Sequence, residues 1–446
     1  MKFKSEVIVI GAGFAGLSAA LALKEAGIDT IVLEARNRVG GRVKTAYLPD
    51  GTQIDLGGQW IGPTQDHMYR LAKKYKVEVF PSQGVGNDIV YYDGQFLDEE
   101  PPEVGELLDQ LDELALQLNL KKPWETPNAK ELDSQTFLDW LYREAATPAA
   151  ARYVDRSLSA GLLAVSGAEF SVLQMMYYIR SGGGLEYLNG VDGGAQQDRL
   201  AGGLQLIAER MAEDFGYEQL YLEQPVKKIK YTEDGASVMT ETDIFFAKKI
   251  ILAIPTAVMS SVEFTPKLPV LKEKTFDHLL PPAALKAHFI YKTPFWREAG
   301  LSGNAYTSDG YISEVYDNSM VDPRKGVLTL FCYGDEANEL RGVNKNRRKR
   351  VFEKELINLF GEEAGKSVEY VEHDWSDEEY THGCFSSHFG TNGWFGYGKN
   401  LNTGVDSLYW TGTEFASKWN GYCDGAVDAG TKAAKKIAAL LQKESK

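Results

Sequence analysis

The feature that most constrains this chain lies at its N-terminus. Val7-Ile8-Val9-Ile10 is a β-branched apolar run of the kind a buried parallel strand carries. Gly11-Ala12-Gly13-Phe14-Ala15-Gly16 follows at once, and Leu17, Ala20, Leu21 and Leu23 then sit in an Ala-rich helical stretch that stops at Gly27. A second apolar stretch from Asp29 to Leu33 ends in Glu34. The whole is a β-α-β unit of roughly 30 residues, the size of a dinucleotide-binding unit. Each glycine has a physical task in such a unit. Gly11 makes the tight turn, Gly13 admits a pyrophosphate to the backbone, and Gly16 lets helix and strand pack closely. The pyrophosphate would sit at the positive end of the helix. Glu34 would accept hydrogen bonds from ribose hydroxyls and repel a 2′-phosphate, which sets NADP aside.

Composition settles a competing reading of this segment. Val7 to Leu23 carries no charge and is nearly long enough to span a bilayer. The glycines inside it and the scant charge ahead of it argue for strand and helix instead. With 446 residues the chain is long enough for two to three domains. At 43% hydrophobic and 25% charged residues it has the make-up of a folded protein. A net charge of −15 argues against nucleic acid or an anionic membrane as partner and suits attraction of small cations. Cys332, Cys384 and Cys423 are too few for a disulfide framework, so a reducing, cytoplasmic location without a membrane anchor is expected. The His residues are scattered without ligand spacing, so no metal is expected. The assembly is not fixed by the sequence, and a homodimer is compatible with it.

Further along, Val104, Leu107, Leu108, Leu111, Leu114 and Leu118 recur at helical spacing and predict an amphipathic helix between Glu99 and Leu120. Helix-like sequence runs from Ser134 to Met176, and Gly182-Gly183-Gly184 reads as a loop. Strand-like alternation returns between Gln219 and Thr240 and again from Lys248 to Ile254. The two kinds of region interleave. A cofactor domain made of residues 1–80, 201–274 and 378–446 is therefore expected, with a substrate domain made of residues 81–200 and 275–377.

The residues after Glu34 choose the cofactor. Glu34-Ala35-Arg36-Asn37-Arg38-Val39-Gly40-Gly41-Arg42 is followed by Asp55-Leu56-Gly57-Gly58-Gln59-Trp60. A second glycine pair and arginines just beyond the ribose acid suit a long, extended FAD better than NAD. With these motifs the chain resembles the flavin-dependent amine oxidase family, and within it the monoamine oxidases. GAGFAG with EARNRVGGR, DLGGQWIGPTQ, GGAQQDRLAGG, AALKAHFIYKTPFW, WSDEEYTHGCF and WTGTEFASKWNGYCDGAVDAG carry the resemblance, in order, from about Glu6 to Leu441.

The resemblance implies an α/β fold: a Rossmann-like FAD-binding domain of the glutathione-reductase type, with a substrate domain of mixed sheet and helices. It implies that Gly11, Gly13, Gly16, Glu34, Arg36, Gly41 and Arg42 hold the ADP half of FAD, with Val226 near the adenine. Gly58 and Gln59 join the cofactor set, and Gly412, Thr413 and Glu414 contact the ribityl-phosphate part. Trp375 lies beside the flavin ring, Lys286 holds a water near its N5, and Cys384 matches the cysteine that bonds the ring in covalent members. Phe385 and Tyr422 flank the substrate amine, and two facing rings make an electron-rich slot for an amine nitrogen. Trp60, Tyr178, Leu188, Gln196 and Glu314 line or gate the substrate pocket, Glu314 being placed to pair with a second ammonium. The implied reaction is oxidative deamination of a primary amine (aliphatic monoamine, diamine or arylalkylamine) to aldehyde, ammonia and H₂O₂ with O₂. The alternative is an L-amino-acid oxidase or another flavoenzyme of this fold. Trp60 stands where amino-acid oxidases carry a carboxylate-clamping arginine, which an indole cannot replace.

Overall fold

The computed structural model describes residues 1–82, 84–321 and 324–444. Its first sheet grows from the N-terminal unit. Val7–Ile10 is buried along its whole length and pairs in parallel with Thr30–Leu33 on one side and Lys249–Leu252 on the other. Leu220–Tyr221 and Leu408–Trp410 extend the sheet at its two edges, again in parallel. The helix Phe14–Glu25 leaves the glycine turn with its N-terminus uncapped by any side chain and packs against the last helix, Cys423–Glu444. Glycine is obligatory at two points of this turn. Gly11 has φ +103°, and a Cβ there would lie 2.5 Å from the Ala253 carbonyl oxygen. A Cβ on Gly16 would lie 1.9 Å from the Gly11 oxygen, so only glycine lets the helix lie this close to its strand.

A seven-stranded sheet forms the second layer. Its order is Glu369–Asp374, Ala284–Tyr291, Gly326–Tyr333, Glu314–Asp317, Leu301–Thr307, Asn87–Tyr92 and Gln95–Leu97. All neighbours are antiparallel except Leu301–Thr307 and Asn87–Tyr92. Both faces of Ala284–Tyr291 are buried. Leu285, Ala287, Phe289 and Tyr291 pack into an apolar cluster with Trp296 and Phe352, which turns Lys286 and His288 to the opposite face. The strands of the two sheets come from interleaved parts of the chain.

Helices cover the rest. Pro102–Leu116 buries Val104, Leu107, Leu111 and Ala115, so the apolar spacing is realised in a helix shorter at both ends than the stretch that predicts it. Pro101-Pro102 sets its start, since proline suits a first turn. The stretch from Ser134 to Met176 is broken by caps. Thr136, Thr147 and Ser171 each accept from a backbone N–H three residues on, opening Phe137–Glu144, Pro148–Val154 and Val172–Gly182. Asp155–Leu163 continues as a π-helix. Among the described residues, no helix is long and apolar enough to cross a membrane.

Candidate active site

A cavity of about 350 Å³ opens where the parallel strands end and runs to the face of the second sheet. At its near end lie Gly11, Gly13, Glu34, Arg36, Gly41, Arg42 and Val226, together with the start of the uncapped helix. Backbone N–H groups fix the Glu34 carboxylate: Ala12 donates at 2.8 Å and Arg36 at 2.9 Å. An unopposed helix N-terminus beside a carboxylate at a strand end fits a pyrophosphate and a ribose. Gly16 does not line the cavity but sits behind the turn. Arg42 donates to both oxygens of Glu414, at 2.5 and 3.2 Å, and to the Phe385 carbonyl at 2.6 Å. Glu414 therefore stands behind Arg42, and Gly412 and Thr413 carry that segment into the cavity. Arg36 is also engaged: it donates to Glu378 at 3.0 Å and to the Thr381 hydroxyl at 2.6 Å, 5.5 Å from the centre of the Tyr380 ring.

The far end is aromatic. Gly58, Lys286, Phe331, Trp375, Cys384, Phe385 and Tyr422 line it together. Trp375 is pinned by its indole N–H, which donates to the Leu56 carbonyl at 2.8 Å. Such a wall suits a flat ring, so the residues present fit a flavin dinucleotide along the cavity. Lys286 donates to the Gly57 carbonyl at 2.9 Å and to Gln59 Oε1, and its ammonium lies 5.2 Å from the Phe331 ring centre and 5.9 Å from that of Trp60. Burial lowers Lys286 to about 7, with Asp55 opposing and Arg199 reinforcing the shift. Cys384 is buried here, and burial pushes its thiol well up against the pull of Arg42.

Strand register builds this end. His373, Lys286, Phe331, Glu314 and Tyr306 are successive partners across five neighbouring strands and share one face. Glu314 thus stands two strands from Lys286, about 10 Å along the row. Its carboxylate accepts from the Tyr333 hydroxyl at 2.8 Å and the Tyr316 hydroxyl at 2.9 Å, and Tyr333 lies 5.6 Å from Phe385, ring to ring. Burial raises Glu314 to about 7, against the two hydroxyls.

The other residues expected at the pocket take different places. Trp60 packs edge-on against Tyr316 at 5.0 Å. Tyr178 is buried 6.2 Å from Tyr422, and Leu188 is buried against Gly182. Gln196 donates to the Leu188 carbonyl at 3.1 Å while its Oε1 has no partner among the described residues. These form a shell behind the aromatic wall rather than an open mouth. Sequence reasoning passed over Phe331, Tyr316 and Tyr333. The signal for them is the alternation Phe331-Cys332-Tyr333 and Glu314-Val315-Tyr316 in strands, which puts each pair on one face. Among the described residues, no group of His, Cys, Asp and Glu is placed to hold a metal ion.

A family model described as flavin containing amine oxidoreductase matches residues 14–438. Putrescine oxidase of Kocuria rosea is 32% identical over 455 residues, which cover 97% of this chain and 95% of that protein. The structure of wild-type putrescine oxidase bound to putrescine matches with a TM-score of 0.94 at 31% identity, over 98% of this chain and 100% of that one. Cyclohexylamine oxidase from Brevibacterium oxydans IH-35A matches with a TM-score of 0.94 at 29% identity, over 98% and 99% of the two chains. With nearly its whole length matched, the chain belongs to the flavin-containing amine oxidoreductase family.

Proposed function

We propose that the chain oxidises a primary aliphatic diamine to an aminoaldehyde, with release of ammonia, using FAD and passing the electrons to O₂ to give H₂O₂. The observation that carries the choice of a diamine is the Glu314 carboxylate, held by two tyrosine hydroxyls one ring from Phe385. A partly buried acid in an aromatic row costs desolvation, and a ligand ammonium would repay it. The match to a putrescine oxidase points the same way.

Each group then has a task. Phe385 and Tyr422 hold the reacting amine through their ring faces. Glu314 takes the distal ammonium and so fixes how deep the chain enters, which orients the α C–H. The net charge of −15 raises the local concentration of cationic substrate. When bound, the flavin supplies the oxidation itself, accepting a hydride equivalent from that carbon. Gly11, Gly13, Glu34, Arg42 and Val226 would hold its dinucleotide part, and Cys384 is the proposed point of covalent attachment. Oxidation of an amino acid is the competing reading. Against it stands Trp60, an indole packed on Tyr316 at the position where, by the resemblance, amino-acid oxidases carry a carboxylate-clamping arginine.

The test is Glu314→Gln, which keeps shape and removes charge. For 1,4-diaminobutane kcat/KM should fall by about two orders of magnitude, the scale of losing one partner of a desolvated charge pair. For a monoamine of equal length it should change little. Equal losses for both amines would remove the diamine reading.

A further inference from the structure

From Lys286 in the cavity wall inward, five polar side chains from distant parts of the sequence form one buried chain. Asp55, Gln59, Arg199, Lys286 and Asn318 are 1, 2, 1, 3 and 2% exposed, so all five are buried from bulk solvent. Arg199 donates to Asp55 at 3.2 Å and to the Asn318 backbone carbonyl at 2.9 Å. The side chains of Asn318 and Gln59 then form a reciprocal amide pair. Gln59 Nε2 donates to Asn318 Oδ1 at 2.9 Å, and Asn318 Nδ2 donates back to Gln59 Oε1 at 3.2 Å. The same Gln59 oxygen accepts from the Lys286 ammonium. Chemistry fixes which way these amides face, because an ammonium can only donate: the Gln59 atom on Lys286 must be oxygen, and Asn318 must answer with its oxygen to Gln59 Nε2.

We propose that the Gln59–Asn318 amide pair aims the Lys286 ammonium into the cavity and keeps it charged, which makes Gln59 and Asn318 positioning residues for the oxidase. The inference rests on the proposed function for its kinetic meaning. Among the described residues, no carboxylate forms an ion pair with Lys286. Asp55, the acid nearest in effect, is taken by Arg199, by Gln53 at 2.8 Å and by Thr45 at 3.1 Å. The other ionisable groups around Lys286 give no counter-charge. Arg199 is a cation, His373 is its register partner, and burial pushes the thiol of Cys384 up. Burial also holds His288, on the same face of the strand, well below its usual range. Among the described residues, the carbonyl oxygens of Gly57 and Gln59 accept from the ammonium, with the Phe331 and Trp60 rings beside it, in place of the water that a buried ammonium loses. Two of its three N–H groups are thereby bound, and the third is left for whatever occupies the cavity it lines. Since burial already brings Lys286 to about 7, losing one acceptor moves its charge across neutral pH.

The experiment reads Lys286 directly. In holoenzyme carrying ¹³C-labelled lysine, the Lys286 ¹³Cε resonance is assigned by its loss in Lys286→Met and followed with pH. Gln59→Leu should lower its midpoint by about one pH unit, and Gln59→Glu should raise it by about as much. Asn318→Leu, which releases the amide without touching Lys286, should lower it less. The alkaline limb of flavin reoxidation by O₂, followed by stopped flow, should move in the same sense as the midpoint in each of the three variants. Shifts of opposite sign for Leu and Glu are not what a structural defect alone would produce. Should Gln59→Leu fail to fold, Gln59→Glu and Asn318→Leu still decide. A Lys286 midpoint unmoved in the folded variants would overturn the inference. Failure of every amine to reduce the flavin would instead sink the proposed function and leave the lysine titration as it is.

Discussion

At the residue scale, Cys384 and Phe385 share a stretch of backbone and divide its work. Gly383 at φ +140° and Phe385 at φ +49° turn the chain so that both side chains reach the cavity. The Cys384 thiol is buried among Trp60, Trp375, Tyr333 and Phe385. A thioether to a flavin ring needs the thiolate, and burial opposes it. Arg42 and Lys286 pull the other way, and both line the same cavity. The expected outcome is that acid precipitation leaves the flavin colour in the protein pellet. Cys384→Ser should send it to the supernatant. Colour in the wild-type supernatant would show that the flavin is held without a bond, and the amine oxidase assignment would stand.

At the scale of elements, the segment from Trp375 to Phe385 acts as a strap across the cavity. Glu378 is its knot. It accepts from Arg36 at 3.0 Å and Lys44 at 3.2 Å, and lies 2.9 Å from His373 Nε2. His373 and, against the cost of burial, Arg36 and Lys44 hold the Glu378 carboxyl well below the usual range. Within the strap, Thr381 and His382 donate their N–H groups to the Glu378 carbonyl, and Gly383 donates to that of Trp375. Glu378→Gln should cost roughly 1.5–3 kcal/mol of local opening energy, the scale of a charge-assisted bond. Amide exchange in residues 376–385 should speed up by about ten- to a hundredfold, with the parallel sheet unchanged. Unchanged exchange there would mean that Arg36 and Lys44 do not tie the strap. This element marks the limit of what the sequence tells. The glycine turn, Glu34, Lys286, Phe385 and Tyr422 are legible because local spacing or a short motif carries them. Arg36 is legible as a residue of the cofactor end, yet its partners Glu378 and Thr381 lie more than three hundred residues away. Tyr333 on Glu314, 19 residues apart on neighbouring strands, and Asn318 on Gln59, 259 residues apart, are no more legible, because strand register and tertiary contact decide and no local pattern records either.

Over the whole molecule, buried ionisable groups set how stability follows pH. Burial lowers His388 to about 3 and holds His288 well below 6.5, so the unfolded chain binds more protons than the fold in that window and stability rises with pH. Glu314 and Asp155 act in the other sense. Burial raises them to about 7 and about 6, the fold keeps protons the unfolded chain has lost, and stability falls as pH rises through those ranges. The two effects oppose one another below neutrality. Above it the lysines dominate. Burial lowers Lys272 and Lys286 from 10.5 to about 7, so the unfolded chain again binds more protons and stability rises from about 7 toward 10.5. Near 10 the sign turns once more, because burial raises Tyr178, Tyr316 and Tyr333 and the fold retains protons that free tyrosines release. The growing negative charge works against the rise, and salt screens that repulsion. At moderate ionic strength Tm should therefore climb between about pH 7 and pH 9. Lys272 supplies the check because it stands apart from the cavity. Its ammonium donates at 2.9 Å to each of the carbonyls of Asn400, Leu401 and Thr403, at the end of the helix Gly393–Leu401, and lies 4.2 Å from the Trp410 ring centre. Lys272→Met leaves those carbonyls without their donor and should lower Tm at every pH, but its Tm should climb less steeply than that of the wild type. A wild-type Tm that falls between those pH values, or equal slopes in the two proteins, would show that Lys272 keeps its charge in the fold as firmly as in the unfolded chain.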